Sequence, residues 1–144
     1  MSESHLVLYA NEAFYTAFAA RDLAAMSEVW SDRETITCIH PGSPPLVGKK
    51  QVMRSWRMIL SNPQSPAIVC RTPTAEMCGD VAYVLCWEQI ELTFLIATNI
   101  FVHEGSRCRL IHHQAAVAPP PHHLPPPLEV VVQQPRNRTV PPPG

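Results

Sequence analysis

Three histidines and one glutamate are the side chains of this chain best suited to moving protons. His40 ends the stretch ETITCIH, while His112 and His113 sit together in RLIHHQA. Imidazole titrates close to neutral pH, so each can give up or take a proton. On an extended strand alternate residues share a face, so Leu110, His112 and Gln114 fall on one side and Ile111, His113 and Ala115 on the other. If Leu110 faces the interior, His112 follows it and His113 turns away. Glu88 lies in VAYVLCWEQIE, where Ala82, Val84, Cys86 and Glu88 alternate with Val81, Tyr83, Leu85 and Trp87. A carboxyl group in an apolar wall has a raised pKa and can act as a general acid or base; alternatively Glu88 pairs with Arg71 or Arg109. His40, His112 and Glu88 are the candidate catalytic residues. Tyr15, Trp56, Trp87 and Asn99 are the candidate ligand-binding residues, the aromatics supplying apolar area and Asn99 an orienting hydrogen bond.

The five cysteines are odd in number and widely spaced, with no CxxC pair. Neither they nor the histidines show a spacing diagnostic of metal, so no metal and no cofactor are expected. Burial as reduced, small apolar residues is the expected fate of Cys38 and Cys86.

These residues need elements to hold them. Leu6, Ala10, Ala13, Phe14, Ala17 and Phe18 recur at helical spacing and predict a helix over Ser4 to Arg21. Asp22 is placed to cap a second, short helix over Leu23 to Trp30. A β-branched stretch from Glu34 to His40 stops at Pro41-Gly42 and reads as a strand, with Ser43 to Gly48 as loop. Val52, Met53, Trp56, Ile59 and Leu60 predict a third helix, ended at Ser61-Asn62-Pro63. Four further strands are expected over Ala67 to Met77, Val81 to Glu91, Phe94 to His103 and Arg107 to Val117, separated by turn signals at Gly79-Asp80 and Gly105. Helices first and antiparallel strands afterwards make an α+β order.

With 144 residues the chain has room for one core. Ten of its 16 prolines follow Val117, which divides it into a domain over 1–117 and a proline-rich tail over 118–144 that is expected to stay disordered. A formal net charge of -1 without a basic run excludes nucleic acid as a partner. The longest apolar run, Leu92 to Val102, is too short to span a membrane, and the Met1 end lacks the pattern of a signal peptide. A cytoplasmic protein with no membrane contact is expected.

The segments ANEAFYTAFAARDLAAMSEVW, CIHPG, PLVGKKQVMRSW and ATNIFVHEG leading to RLIHHQA occur in the order that makes residues 4–117 resemble the SnoaL-like branch of the NTF2-like superfamily. The resemblance implies a cone, with three helices against a strongly curved, mostly antiparallel sheet enclosing a conical pocket, and a homodimer packed through the sheet's outer face. Relatives carry a Gly-Trp pair at the hairpin before the last strand; here Gly105-Ser106-Arg107-Cys108 stands there, with Cys108 at the tryptophan position. No motif aligns the acid/base aspartates of the ketosteroid isomerases. The expected function is a homodimeric domain binding a small, largely apolar molecule. The alternatives are an isomerase, hydrolase or cyclase using histidine and glutamate, or a noncatalytic dimerisation module, and whether the chain is an enzyme stays open.

Overall fold

The computed structural model describes residues 2–122. Helix α1 spans Glu3–Ala20, α2 Leu23–Val29 and α3 Lys49–Ser61. The strands are β1 (Thr37–Ile39), β2 (Leu46–Val47), β3 (Val69–Cys78), β4 (Val81–Ile90), β5 (Thr93–Glu104) and β6 (Arg107–Ala118). They form one six-stranded sheet in the order β2-β1-β6-β5-β4-β3, antiparallel except where β1 runs parallel to β6. This is the α+β arrangement that the order of elements predicts. The expected first strand shrinks to three residues, and Leu46–Val47, expected as loop, adds a short strand to its edge. The predicted proline-rich tail lies, from residue 123 onward, outside the described residues.

Local chemistry sets the element ends. Ser2 accepts a hydrogen bond from the His5 N–H, and Asp22 accepts one from the Ala25 N–H, so both early helices start on a side-chain cap. Arg21 ends α1 in the left-handed region, φ 54°, where Gly is the usual occupant. Its side chain offers a reason for its presence. The guanidinium donates to the carbonyls of Leu60, Asn62 and Ser65 at 3.3, 2.7 and 2.7 Å, tying the end of α1 to the end of α3 and the loop after it.

The inward faces of α1, α3, β4, β5 and β6 meet in a core centred on Phe14, Trp30, Trp56, Phe101 and Leu110, all buried. These large side chains fill the middle of the cone. Two register irregularities bend the sheet over it, one in β3 between Arg71 and Thr74 and one where Ile100 pairs with His112 but Phe101 pairs with Leu110. The second is a bulge that leaves Ile111 without an opposite number and reverses the alternation beyond it.

Candidate functional site

Helix α1 places Val7, Ala10, Asn11, Phe14 and Tyr15 on one buried stripe. Asn11 and Tyr15 are the polar members, one turn apart, and they face the inward residues of β4 to β6. Tyr15 Oη donates to Glu88 Oε2 at 2.6 Å. Asn99 Nδ2 donates to Asn11 Oδ1 at 2.8 Å and to Tyr15 Oη at 3.2 Å. Asn99 Oδ1 is therefore an acceptor, and the His113 Nδ1 that lies 2.5 Å from it carries the imidazole proton. That assignment leaves Nε2 as a lone pair, 3.9 Å from Glu88 Oε2. Donation runs in one direction, from His113 through Asn99 and Tyr15 to Glu88. The ring fails to close only between the imidazole and the carboxyl.

Desolvation decides the charges. Burial raises the Glu88 carboxyl, with the Tyr15 hydrogen bond pulling the other way. Burial, with His40 and His112 nearby, pushes His113 down to about 3. Tyr15 is held as a phenol by burial and by Glu88. The cluster is thus a buried set of neutral donors and acceptors around one carboxyl group whose proton is easier to keep than in water. Phe14 packs on the imidazole of His113 with ring centres 4.9 Å apart, closing the cluster on its apolar side.

A groove of about 700 Å³ opens beside this cluster, between α1 and the start of β3, bordered by Leu8, Asn11, Tyr15, Ile68, Cys70 and Pro73. Asn11 and Tyr15 belong both to the groove wall and to the buried network. Glu88, Asn99 and His113 lie behind them. A second groove of about 700 Å³ runs along the other side of α1, bordered by Leu6, Ala10, Ala13, Val29 and Cys108 among others.

The structure brings Tyr15, Glu88 and Asn99 together and separates the remaining candidates. The expected inward orientation of His112 is reversed. The Ile111 bulge puts Leu110 and His113 on the inner face, while His112 faces Thr37 on the outer side, with Nδ1 2.6 Å from Thr37 Oγ1. Trp87 also lies on the outer face, edge-to-face with Phe94 at 6.3 Å, so it does not border the groove. Trp56 is buried among Phe14, Phe18, His40 and His113 as core. His40 sits at the edge of that aromatic group; because Ser55 Oγ donates to the Val52 carbonyl, His40 Nε2 donates to Ser55 Oγ at 2.9 Å. Glu88 pairs with neither suggested arginine: Arg71 donates to Gln89, and Arg109 meets Glu28, Asp32 and Glu104.

Two members, Asn11 and His113, are missing from the sequence-based set. A signal for Asn11 exists, because it is a polar residue at i+4 from Val7 and i−4 from Tyr15 on an apolar helical stripe. For His113 strand alternation points the wrong way. Among the described residues, no group of three or more His, Cys, Asp or Glu side chains is placed to hold a metal ion, and no helix is long and apolar enough to cross a membrane.

Comparison with known proteins agrees with this architecture. An NTF2-like family protein from Streptomyces avermitilis with a proposed dehydratase activity superposes with a TM-score of 0.73 at 27% identity, covering 82% of this chain and 97% of the other. A proposed calcium/calmodulin-dependent protein kinase type II association domain from Thiobacillus denitrificans gives 0.70 at 26% identity, covering 76% and 93%. The F-box protein SKIP8 of Arabidopsis thaliana is 26% identical over 110 residues, which are 74% of this chain and 47% of that protein, so the chain spans about half the length of this relative. Residues 7–120 match the SnoaL-like domain family, and with the helix-lined, bulged sheet described above the chain belongs to that family within the NTF2-like fold.

Proposed function

We propose that this domain binds a small, uncharged, largely apolar molecule in the groove between α1 and β3, with Asn11 and Tyr15 at its polar end. The observation that carries the reading is the double membership of these two side chains, which border the groove and hydrogen-bond to the buried cluster. A charged ligand would find no buried counter-charge there, since His113 is neutral and Glu88 favours its proton more than an exposed carboxyl does. Screening small ketones, esters and alcohols by amide chemical-shift mapping tests the proposal. Shifts concentrated at Asn11, Tyr15 and Cys70, weakened in Tyr15→Phe, are expected. Shifts confined to the second groove, or none at millimolar ligand, would overturn it.

A second reading is acid–base catalysis at the same site, favoured by the 2.6 Å contact of Tyr15 with Glu88. Tyr15 would present its hydroxyl to the ligand while Glu88 and His113 set its proton affinity; removal of water from a substrate, the activity proposed for the Streptomyces avermitilis relative, is one reaction of that kind. Both readings place the domain in a homodimer packed through the outer sheet face, where Leu85 is 42% and Ile96 37% exposed beside the Trp87–Phe94 pair. They also place it in the cytoplasm, where the five cysteines are thiols in the resting protein.

A further inference from the structure

Cys70 and Cys86 stand on neighbouring strands and on the same face. In the β3–β4 ladder Cys70 is opposite Glu88, and Cys86 precedes Glu88 by two residues, so the two sulfurs are diagonal neighbours beneath α1. The helix turn above them touches both. Asn11 Nδ2 donates to Cys70 Sγ at 3.7 Å, and Tyr15 Oη lies 3.3 Å from Cys86 Sγ. Access differs between them, since Cys70 borders the groove and is half-buried, whereas Cys86 is buried behind it.

We propose that Cys70 and Cys86 form an oxidation site, at which hydrogen peroxide entering the groove converts the two thiols to a cross-strand disulfide. The Cys70 sulfur attacks a peroxide oxygen, the O–O bond breaks, and the leaving hydroxide departs as water with the Cys70 proton. Cys70 is then a sulfenic acid. The Cys86 sulfur attacks the Cys70 sulfur, the S–O bond breaks, and a second water leaves with the Cys86 proton. Two thiols have lost two electrons and two protons, and the peroxide has become two waters. The neighbouring Cys86 and burial hold the Cys70 thiol up, so the attack on peroxide is the slow step.

Diagonal cross-strand positions lie roughly 7–8 Å apart at Cα in a regular ladder, slightly beyond the usual span of a disulfide. The register break between Arg71 and Thr74, next to Cys70, is where β3 can take up the difference. The remaining cysteines are placed differently. Cys38 is pushed up to about 12 by burial and by Glu88, and Cys108 borders the second groove. Closing the bond would draw Cys86 away from Tyr15, so the oxidation state of the pair would reach the buried network through that one contact. The thiol chemistry is independent of which molecule the groove binds.

The test treats the folded, fully reduced protein with hydrogen peroxide, then unfolds it and alkylates it with N-ethylmaleimide for intact-mass measurement. Two of the five alkylation sites should disappear, with the mass of two hydrogens lost and all five restored by dithiothreitol. In a Cys78→Ser background the linked tryptic peptides should join Cys70 to Cys86, and Cys70→Ser or Cys86→Ser should abolish the link. Oxidation confined to Cys78, with Cys70 and Cys86 still alkylated, would overturn the proposal. If a serine variant does not fold, fragment-ion sequencing of the linked wild-type peptides makes the same distinction, because it separates Cys78 from Cys86 on the tryptic peptide that carries both.

Discussion

The Tyr15 hydroxyl lies 2.6 Å from Glu88 Oε2 and joins α1 to β4 two residues before the end of that strand. Its loss in Tyr15→Phe leaves Glu88 without its donor and Asn99 Nδ2 without one of its acceptors. The expected cost is about 1–3 kcal/mol, the penalty for buried groups left unpaired. Glu88→Gln should cost less, because its amide oxygen still accepts from Tyr15. Urea denaturation of the two variants checks the order; equal losses would mean that the carboxyl proton, rather than the hydrogen bond, holds the site.

Acid should weaken the fold through His113. Its folded-state pKa, about 3, lies below the ordinary histidine value, so its contribution is present above about pH 6.5 and is lost as the pH falls toward 3. His40 and His112 are lowered by burial and add to the same trend. Glu88 acts in the opposite sense, since a raised carboxyl pKa favours the folded state at low pH and loses that advantage as the pH rises through the folded value. Each fully titrating histidine contributes a slope of about 1.4 kcal/mol per pH unit. His113→Asn should flatten stability between pH 6.5 and 4.5 as read from urea midpoints, and an unchanged slope would assign the acid loss to other groups.

Replacing each of the paired histidines with alanine should separate them. His113→Ala removes a buried ring packed on Phe14 and bonded to Asn99, and about 2–4 kcal/mol of stability should go with it. His112→Ala loses one half-buried hydrogen bond to Thr37 and should cost about 1 kcal/mol or less. Thermal melts decide the order.

The helices and the long strands are legible in the sequence because their side-chain periods run uninterrupted. The stripe from Val7 to Tyr15 continues from end to end, so its buried face follows from counting, while the alternation from Val81 to Glu88 fixes which residues share a face. Tyr15 falls on that stripe, and Glu88 shares its face with Ala82, Val84 and Cys86. His112 and His113 are exchanged because the count along β6 passes through Ile111, whose bulge answers to the pairing with β5 and has no Gly or Pro to mark it. Trp87 fails differently: both faces of its strand are apolar, and periodicity alone does not say which is inside.

Arg21→Ala should destabilise the domain by about 1–3 kcal/mol, because three carbonyls at the end of α3 and in the following loop lose a charged donor. Arg21→Gly tests the backbone separately. It relieves the left-handed φ of 54° but still loses the clamp, so it should lie between wild type and alanine in chemical denaturation. A glycine variant as stable as wild type would show that the clamp contributes no more than the backbone strain costs.

Light scattering at tens of micromolar should give twice the monomer mass if the outer sheet face is the interface, and the Leu85→Asp, Ile96→Glu double variant should return it to the monomer. Both residues are exposed in the single chain and lie outside the core, so folding measured by circular dichroism should survive. A wild-type monomer would remove the dimer from both functional readings.

Because Ile111 has no opposite number, β6 can lose that one residue and keep every other pairing with β5. Leu110 would still meet Phe101 and His112 would still meet Ile100, so no side chain would turn over, and the extra twist of the bulge would be the local loss. A chain shortened at this codon would have its inward leucine and inward histidine two residues apart, where here they stand three apart. Single-residue insertions and deletions at this point are thus a route by which diverging copies of the domain can alter sheet curvature while the same imidazole stays beside Asn99.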